Sequence, residues 1–162
     1  MEPLRIARYA PGDERGLIPM ILHIQREEFG IDISAEDQPD LMQIPSFYQG
    51  GSGDFWVARM ADAVIGTIGL KDIGNNQAAL RKMFVAAAWR GRELGVTRQM
   101  LALLTETAKQ RGIKTIYLGT TDRFLAAHAF YEKHGFSRVS QHDLPSTFPL
   151  MAVDTRFYAL NL

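Results

Sequence analysis

With 162 residues, 46% apolar and 22% charged, the chain holds enough hydrophobic material for one domain with a full core. Lys plus Arg and Asp plus Glu balance at 18 each, so no net field favours nucleic acid or an anionic membrane surface. The absence of cysteine excludes a disulfide framework, zinc–thiolate sites and cysteine nucleophiles, and fits a reducing cytoplasm.

The N-terminal stretch MEPLRIARYAPGDERG carries charges throughout and lacks the apolar core of a secretory signal. LRIARY (4–9) within it alternates as a strand and stops at Pro11-Gly12. From Asp13 to Phe29, Leu17, Met20, Ile21 and Ile24 recur at helical spacing, and Gly30 ends that helix. Residues 30–53, with Pro39, Pro45 and a GGSG turn, are expected to be irregular or weakly helical. FWVARM (55–60) and VIGTIGLKDI pair as a hairpin across Ala61-Asp62. Gly74-Asn75-Asn76 turns the chain into the next strand, AALRKMFV (78–85).

A long amphipathic helix is predicted from about Gly91 to Arg111, stopped by Gly112. Leu94, Leu101, Leu104 and Ala108 mark its buried face, widened by Val96, Met100 and Leu103, while Arg98, Gln99, Glu106 and Lys109 point outward. KTIYLG (114–119) reads as a buried strand, and Thr121 or Asp122 is expected to cap a helix ending at His134-Gly135. FSRVS and FPLMAVDTRFYAL supply two final strands, the last either internal or a dimer edge. No apolar run approaches the roughly 18 residues of a spanning helix. The order of elements gives one α/β domain over residues 1–162 with a mixed sheet, expected in the cytoplasm.

The stretch WRGRELGV (89–96) sits between strand 78–85 and the long helix. Free backbone N–H groups and the positive end of the helix dipole make such a position an anion cradle. Each exposed charge–dipole contact contributes only about 0.3–1 kcal/mol, so a diphosphate needs several N–H bonds together with Arg90 and Arg92. The pattern is neither G-x-x-x-x-G-K-[ST] nor a G-x-G-x-x-G after a first strand, which excludes a P-loop and argues against a dinucleotide site. Two readings stand on these residues alone: an anion cradle, or a helix start preceded by two incidental glycines.

VAAAWRGRELGVTRQML resembles the acetyl-CoA signature of the GNAT superfamily of N-acetyltransferases, Gln/Arg-x-x-Gly-x-Gly/Ala at a helix start five residues after a strand valine. Arg90, Gly95 and Val85 fit that pattern, and Glu93 replaces its middle glycine while keeping the backbone N–H. LAAHAFYEKHGF (125–136) resembles the superfamily's later motif, a helix bearing A-x-x-x-Tyr-Glu-Lys that ends at Gly-Phe. Phe124 stands where an asparagine is often found, and Ala79 where some relatives carry a glutamate. The motifs cover residues 80–136, and the element order covers the chain.

The resemblance implies a mixed, mostly antiparallel sheet flanked by helices, with acetyl-CoA as co-substrate and no metal. It places the diphosphate on Arg90, Gly91, Arg92, Glu93, Leu94, Gly95 and Val96. The pantetheine arm is expected along Met83, Val85, Ala127 and Tyr131. Ala79, Arg81, Met83 and Val85 share one strand face by alternation, and the Met83 N–H is the candidate for polarising the acetyl carbonyl. Tyr131, a phenol protonated at neutral pH, is the candidate general acid for the departing thiolate. The base is open among Glu28, Asp72, a water chain and capture of an already neutral amine.

Two clues to the acceptor conflict. EEFGIDISAEDQPD (27–40) holds six carboxylates, Glu28 among them, and no Lys or Arg. The resemblance implies that this region borders the acceptor pocket, where an acidic rim favours a cationic amine, while a solvated acidic loop is the commoner explanation of such a run. Arg81 and Lys82 lie beside the reacting centre, where they can hold a substrate carboxylate. The leading expectation is an acetyltransferase for a small primary amine such as an amino acid or polyamine, acting as a monomer or homodimer without nucleic-acid or membrane partners. A non-catalytic acetyl-CoA sensor and an acetyltransferase for protein N-termini or lysines are the alternatives. His23, His128, His134 and His142 have no metal-ligand spacing and are read as structural or surface residues.

Overall fold

The computed structural model describes residues 3–91 and 94–162. The first strand β1 (Leu4–Arg8) leads into α1 (Glu14–His23), which continues as one π-helical stretch over Ile24–Glu28. A 3₁₀ turn (Pro39–Met42) and the short α2 (Ile44–Tyr48) follow. Then come β2 (Asp54–Met60), β3 (Ala63–Gly74) and β4 (Gln77–Val85) as a meander. The long helix α3 (Val96–Gln110) connects β4 to β5 (Thr115–Thr120), and α4 (Leu125–Lys133) connects β5 to β6 (Ser137–Val139). The last strand is β7 (Arg156–Asn161).

The seven strands form one sheet in the order β1-β2-β3-β4-β5-β7-β6. Among the described residues only β4 and β5 run parallel, so the expected mixed, mostly antiparallel sheet is what forms. Alternation along β2 divides the core: Phe55 and Val57 face Leu17, Ile21 and Tyr48, while Trp56 and Ala58 face the α3 side. Met100 and Leu104 of α3 are fully buried there, each such side chain contributing roughly 1.5–3 kcal/mol. Among the described residues no helix is long and apolar enough to cross a membrane.

Four expectations are revised. The long helix begins at Val96 instead of about Gly91, because Gly95 takes a left-handed φ of 61° and Gly91 a φ of 145°. Neither conformation belongs to a right-handed helix, and both favour glycine. Leu103 is 36% exposed and does not widen the buried face. Neither Thr121 nor Asp122 caps α4; Phe124 is its N-cap residue, and Thr121 Oγ1 instead accepts a bond from Arg123 N–H.

The predicted last strand is a strand only from Arg156. Residues 148–154 make successive turns that bond Leu150 N–H to Phe148 O and Asp154 N–H to Met151 O. β7 lies between β5 and β6, so it is internal and not an edge.

Candidate active site

The parallel pairing of β4 with β5 spans only Gln77–Ala79 against Thr115–Tyr117. Beyond Ala79 the strands part, and the backbone groups of β4 on that side have no strand partner. The gap opens into a cleft of about 910 Å³ whose walls include Met83 and Val85 of β4, Gly119 and Thr121 at the end of β5, and Ala127 and Tyr131 of α4. Its far wall is apolar, with Ile31, Ile33 and Phe29 from the segment after α1.

The strand is irregular where it parts. Between Thr67 and Gly69 of β3, the partner residues jump from Phe84 to Arg81, so β4 carries one extra residue. Lys82 occupies the bulge at φ 54°, a left-handed conformation that costs a non-glycine residue about 1–2 kcal/mol. Thr67 Oγ1 donates to Lys82 O at 2.7 Å and holds it there. The extra residue reverses the alternation. Ala78 and Leu80 pack on the α3 side before the bulge, and Met83 and Val85 do so after it. Ala79 and Arg81 therefore face away from Met83 and Val85, contrary to the expectation of one shared face.

At one mouth of the cleft, Gly95 precedes the first turn of α3, and the Arg98 guanidinium folds back over it. A Cβ on Gly95 would lie 2.6 Å from Arg98 Nη2. Arg98 and Thr97 both line the cleft, although the periodicity had placed Arg98 outside. Leu94 and Val96, both expected at the diphosphate, pack into the core beneath and are not among the residues lining the cleft. The expectations for Arg92 and Glu93 lie outside the described residues. Arg90 grips Glu28 with two bonds of 2.6 and 3.0 Å and donates through Nε to Val85 O at 2.7 Å. The pair ties the end of the π-helical stretch to the loop before α3, and Glu28 is engaged there instead of presenting a free carboxylate to an acceptor. Asp72, the other carboxylate considered as base, is bound by Ser52 and the Gly74 N–H.

Tyr131 is buried between Phe130, Phe136 and Tyr158 yet lines the cleft. Its hydroxyl has no hydrogen-bond partner among the described residues. Burial, and then the neighbouring Tyr158 and Asp154, push its pKa well up, so the hydroxyl stays protonated at neutral pH. Phe124, at the position of the often-found asparagine, packs edge-on against Phe29 (4.6 Å) and Phe84 (6.2 Å) and closes the wall with rings.

The other end of the cleft is charged. Asp40, from the acidic run, is buried and accepts from Tyr48 OH at 2.6 Å. Its Oδ2 lies 3.6 Å from Lys82 Nζ and 3.9 Å from Arg81 Nη2. Arg81 also donates to Pro149 O at 2.9 Å, which straps the loop before β7 over β4. Burial lowers the Lys82 pKa to about 8, with Arg81 adding to the effect and Asp40 opposing it.

Asp154 completes the ring. Its Oδ2 accepts from Met151 N–H at 3.1 Å, and its neighbour Thr155 N–H bonds Thr120 O at 2.9 Å. Burial raises its pKa against the lowering pull of that N–H, Arg81 and Lys82. Asp154 stands in no motif, and the alternation around it reads as strand. Arg98 lies within the 85–101 stretch, but helical periodicity turns it to solvent and gives no sign that it folds back over Gly95. His128 is buried, with Nε2 2.9 Å from Thr121 O and Nδ1 3.1 Å from Arg156 Nη1, so its partners imply the Nε2–H tautomer and a structural role.

Comparison with known proteins follows the same lines. The family model described as Acetyltransferase (GNAT) family matches residues 18–136. A crystal structure of an acetyltransferase of GNAT family from Staphylococcus aureus Mu50 superposes with a TM-score of 0.93 at 41% identity, covering 98% of this chain and 99% of that one. Among curated relatives, N-acetylaspartate synthetase of Danio rerio is 32% identical over 104 residues, 63% of this chain and 36% of its own length. The chain thus spans less than half the length of that relative. The fold also matches N-acetylglutamate synthase from Neisseria gonorrhoeae complexed with coenzyme A and N-acetyl-glutamate, with a TM-score of 0.76 at 15% identity, covering all of this chain and 36% of that one.

Proposed function

The chain belongs to the acetyltransferase (GNAT) family, and from that premise we propose that it transfers an acetyl group from acetyl-CoA to the primary amine of a small molecule. The observation that carries this reading is the parting of β4 from β5 after Ala79 and Tyr117, which opens unpaired backbone onto a cleft that also holds Tyr131. The cleft has the features a pantetheine-linked acyl group needs: a narrow gap between strands, a helix N-terminus with Arg98 at one mouth, and aromatic walls. Acetyl-CoA would bring an activated thioester.

In this reading the Met83 N–H, on the unpaired stretch of β4, polarises the acetyl carbonyl as the amine attacks. The Tyr131 hydroxyl gives its proton to the departing sulfur. The backbone from Gly91 to Val96, assisted by Arg98, takes the diphosphate, while Arg90 holds Glu28 and positions the loop. A small acceptor suits the enclosed, charged far end of the cleft better than a flat peptide groove. The name of the Danio rerio relative points the same way.

Thermal unfolding with acetyl-CoA, NAD or ATP is the first test, followed by free-CoA release with an amine panel. At about 100 times its dissociation constant a ligand adds about 2.7 kcal/mol, a shift on the order of 5–11 °C for a domain of this size. A shift with acetyl-CoA alone supports the reading. No shift with acetyl-CoA removes it.

A further inference from the structure

We propose that Asp154 is the proton acceptor for the incoming ammonium, and that the acceptor is an amino acid whose carboxylate is held by Lys82 and Arg81. This rests on the acetyl-transfer reading of the same cleft.

The geometry begins with a glycine. Gly119 stands at the end of β5 under the Asp154 carboxylate, where a Cβ would come within 2.6 Å of Oδ2. The missing side chain leaves room for a carboxylate on the cleft wall. One of its oxygens, Oδ2, is fixed by Met151 N–H, and Oδ1 has no hydrogen-bond partner among the described residues. The loop that carries it is pinned by Thr155 to Thr120 and by Arg81 to Pro149. Asp154 is therefore a rigid carboxylate with one free oxygen, on the same cleft as Tyr131.

The charge balance points to the acceptor. Arg81 and Lys82 bring two positive charges to this end of the cleft, and buried Asp40 neutralises one. Both cations act on the Asp154 carboxylate, which offsets the other charge in the free protein. Burial already holds its pKa above the ordinary carboxylate value. An entering amino acid adds a carboxylate, which takes over as counter-ion to Lys82 and Arg81. Asp154 then loses its stabilising partners, and its affinity for a proton rises just as an ammonium is presented to it. A polyamine has no such anion and leaves one positive charge uncompensated. Tyr131 from α4 also feels the Asp154 charge and stays neutral, and the ring of Phe157 from β7 flanks Gly119 beside it.

The step balances. One ammonium proton passes to Asp154 Oδ1, the freed nitrogen forms its bond to the acetyl carbon, and the carbon–sulfur bond breaks. Tyr131 gives its proton to sulfur and regains one from the nitrogen as that becomes an amide. Asp154 releases its proton to solvent.

The test uses the full chain, acetyl-CoA, the common amino acids and the amines formed from them by decarboxylation. The expected result is turnover of at least one amino acid, with its decarboxylated amine slower by 10-fold or more in kcat/KM. Asp154→Asn, which keeps the shape and the Met151 bond, is expected to lower kcat by about 10²–10⁴-fold. Its acetyl-CoA thermal shift should equal that of the unmodified protein, and the acid limb of the pH–rate profile should disappear. Lys82→Arg should move the alkaline limb, expected near the Lys82 pKa of about 8, to higher pH.

Decarboxylated amines used as well as amino acids overturn the carboxylate assignment. An Asp154→Asn protein within 3-fold of full activity, or one that keeps its acid limb, overturns the base assignment. Acetyl-CoA binding with no amino acid turned over overturns both. Failure of acetyl-CoA to bind at all refutes the acetyl-transfer reading instead, and is scored before any acceptor is added.

Discussion

Gly95→Ala tests the link between backbone geometry and the anion-binding end of the cleft. Gly95 sits at φ 61° immediately before α3, where an L-residue loses about 1–2 kcal/mol. Alanine also restricts the unfolded chain, which returns about 0.4–1 kcal/mol. The net loss is about 1 kcal/mol, or roughly 2–4 °C in Tm for a chain of this length. A second effect is local. The new methyl would lie 2.6–3.2 Å from Arg98 Nη2, Nε and Cζ, so the guanidinium must swing off the helix start. Because those atoms end a flexible side chain, the displacement adds little to the folding cost. It removes one cation from the expected diphosphate position, an exposed contact of about 0.3–1 kcal/mol, equal to a roughly 2–5-fold weaker Kd. Differential scanning fluorimetry without ligand reads the first effect, and titration calorimetry with acetyl-CoA reads the second. Arg98→Ala should reproduce the second without the first. A Gly95→Ala protein with unchanged Tm refutes the left-handed helix start. A lower Tm with unchanged affinity in both variants refutes the role of Arg98.

Tyr131→Phe removes a hydroxyl with no protein partner among the described residues, so Tm should stay within about 1–2 °C while kcat falls by about 10²–10⁴-fold with acetyl-CoA binding retained. Asp54 is buried and bonded by Arg8, Arg111, Gln49 and its neighbour's N–H. Asp54→Asn should therefore lose about 3 kcal/mol, roughly 6–12 °C, in thermal unfolding at pH 7. Burial opposes the charge of Asp54, but these donors outweigh it and lower its pKa below 3.8. Its stabilisation is present above the unfolded value and is lost as pH falls through the folded one, so the gap between variant and parent should narrow below about pH 4. Leu104→Ala, at a fully buried position of α3, should cost about 2–5 kcal/mol in urea unfolding with an unchanged m-value.

The sequence by itself determined the order of elements, the meander of β2–β4, and the two motifs that name the family. Those features depend on local periodicity and on turn residues, which act within a few positions of the chain. It also marked Tyr131 and the Gly91–Gly95 stretch, because helix starts and Gly-Phe endings leave local signatures. Only the tertiary structure decided which way β4 faces. One extra residue at Lys82 turns Arg81 away from Met83, and the register with β3 that demands it is a long-range property. The same holds for the partners of the charges. Arg90 and Glu28 are 62 residues apart, and each was assigned to a ligand until the fold brought them together. Asp154 was legible only as part of a strand, since its place above Gly119 depends on β7 inserting between β5 and β6. Periodicity reports how a segment meets the core, but the sign and neighbours of a buried charge are set by elements that the chain reaches only once it has folded.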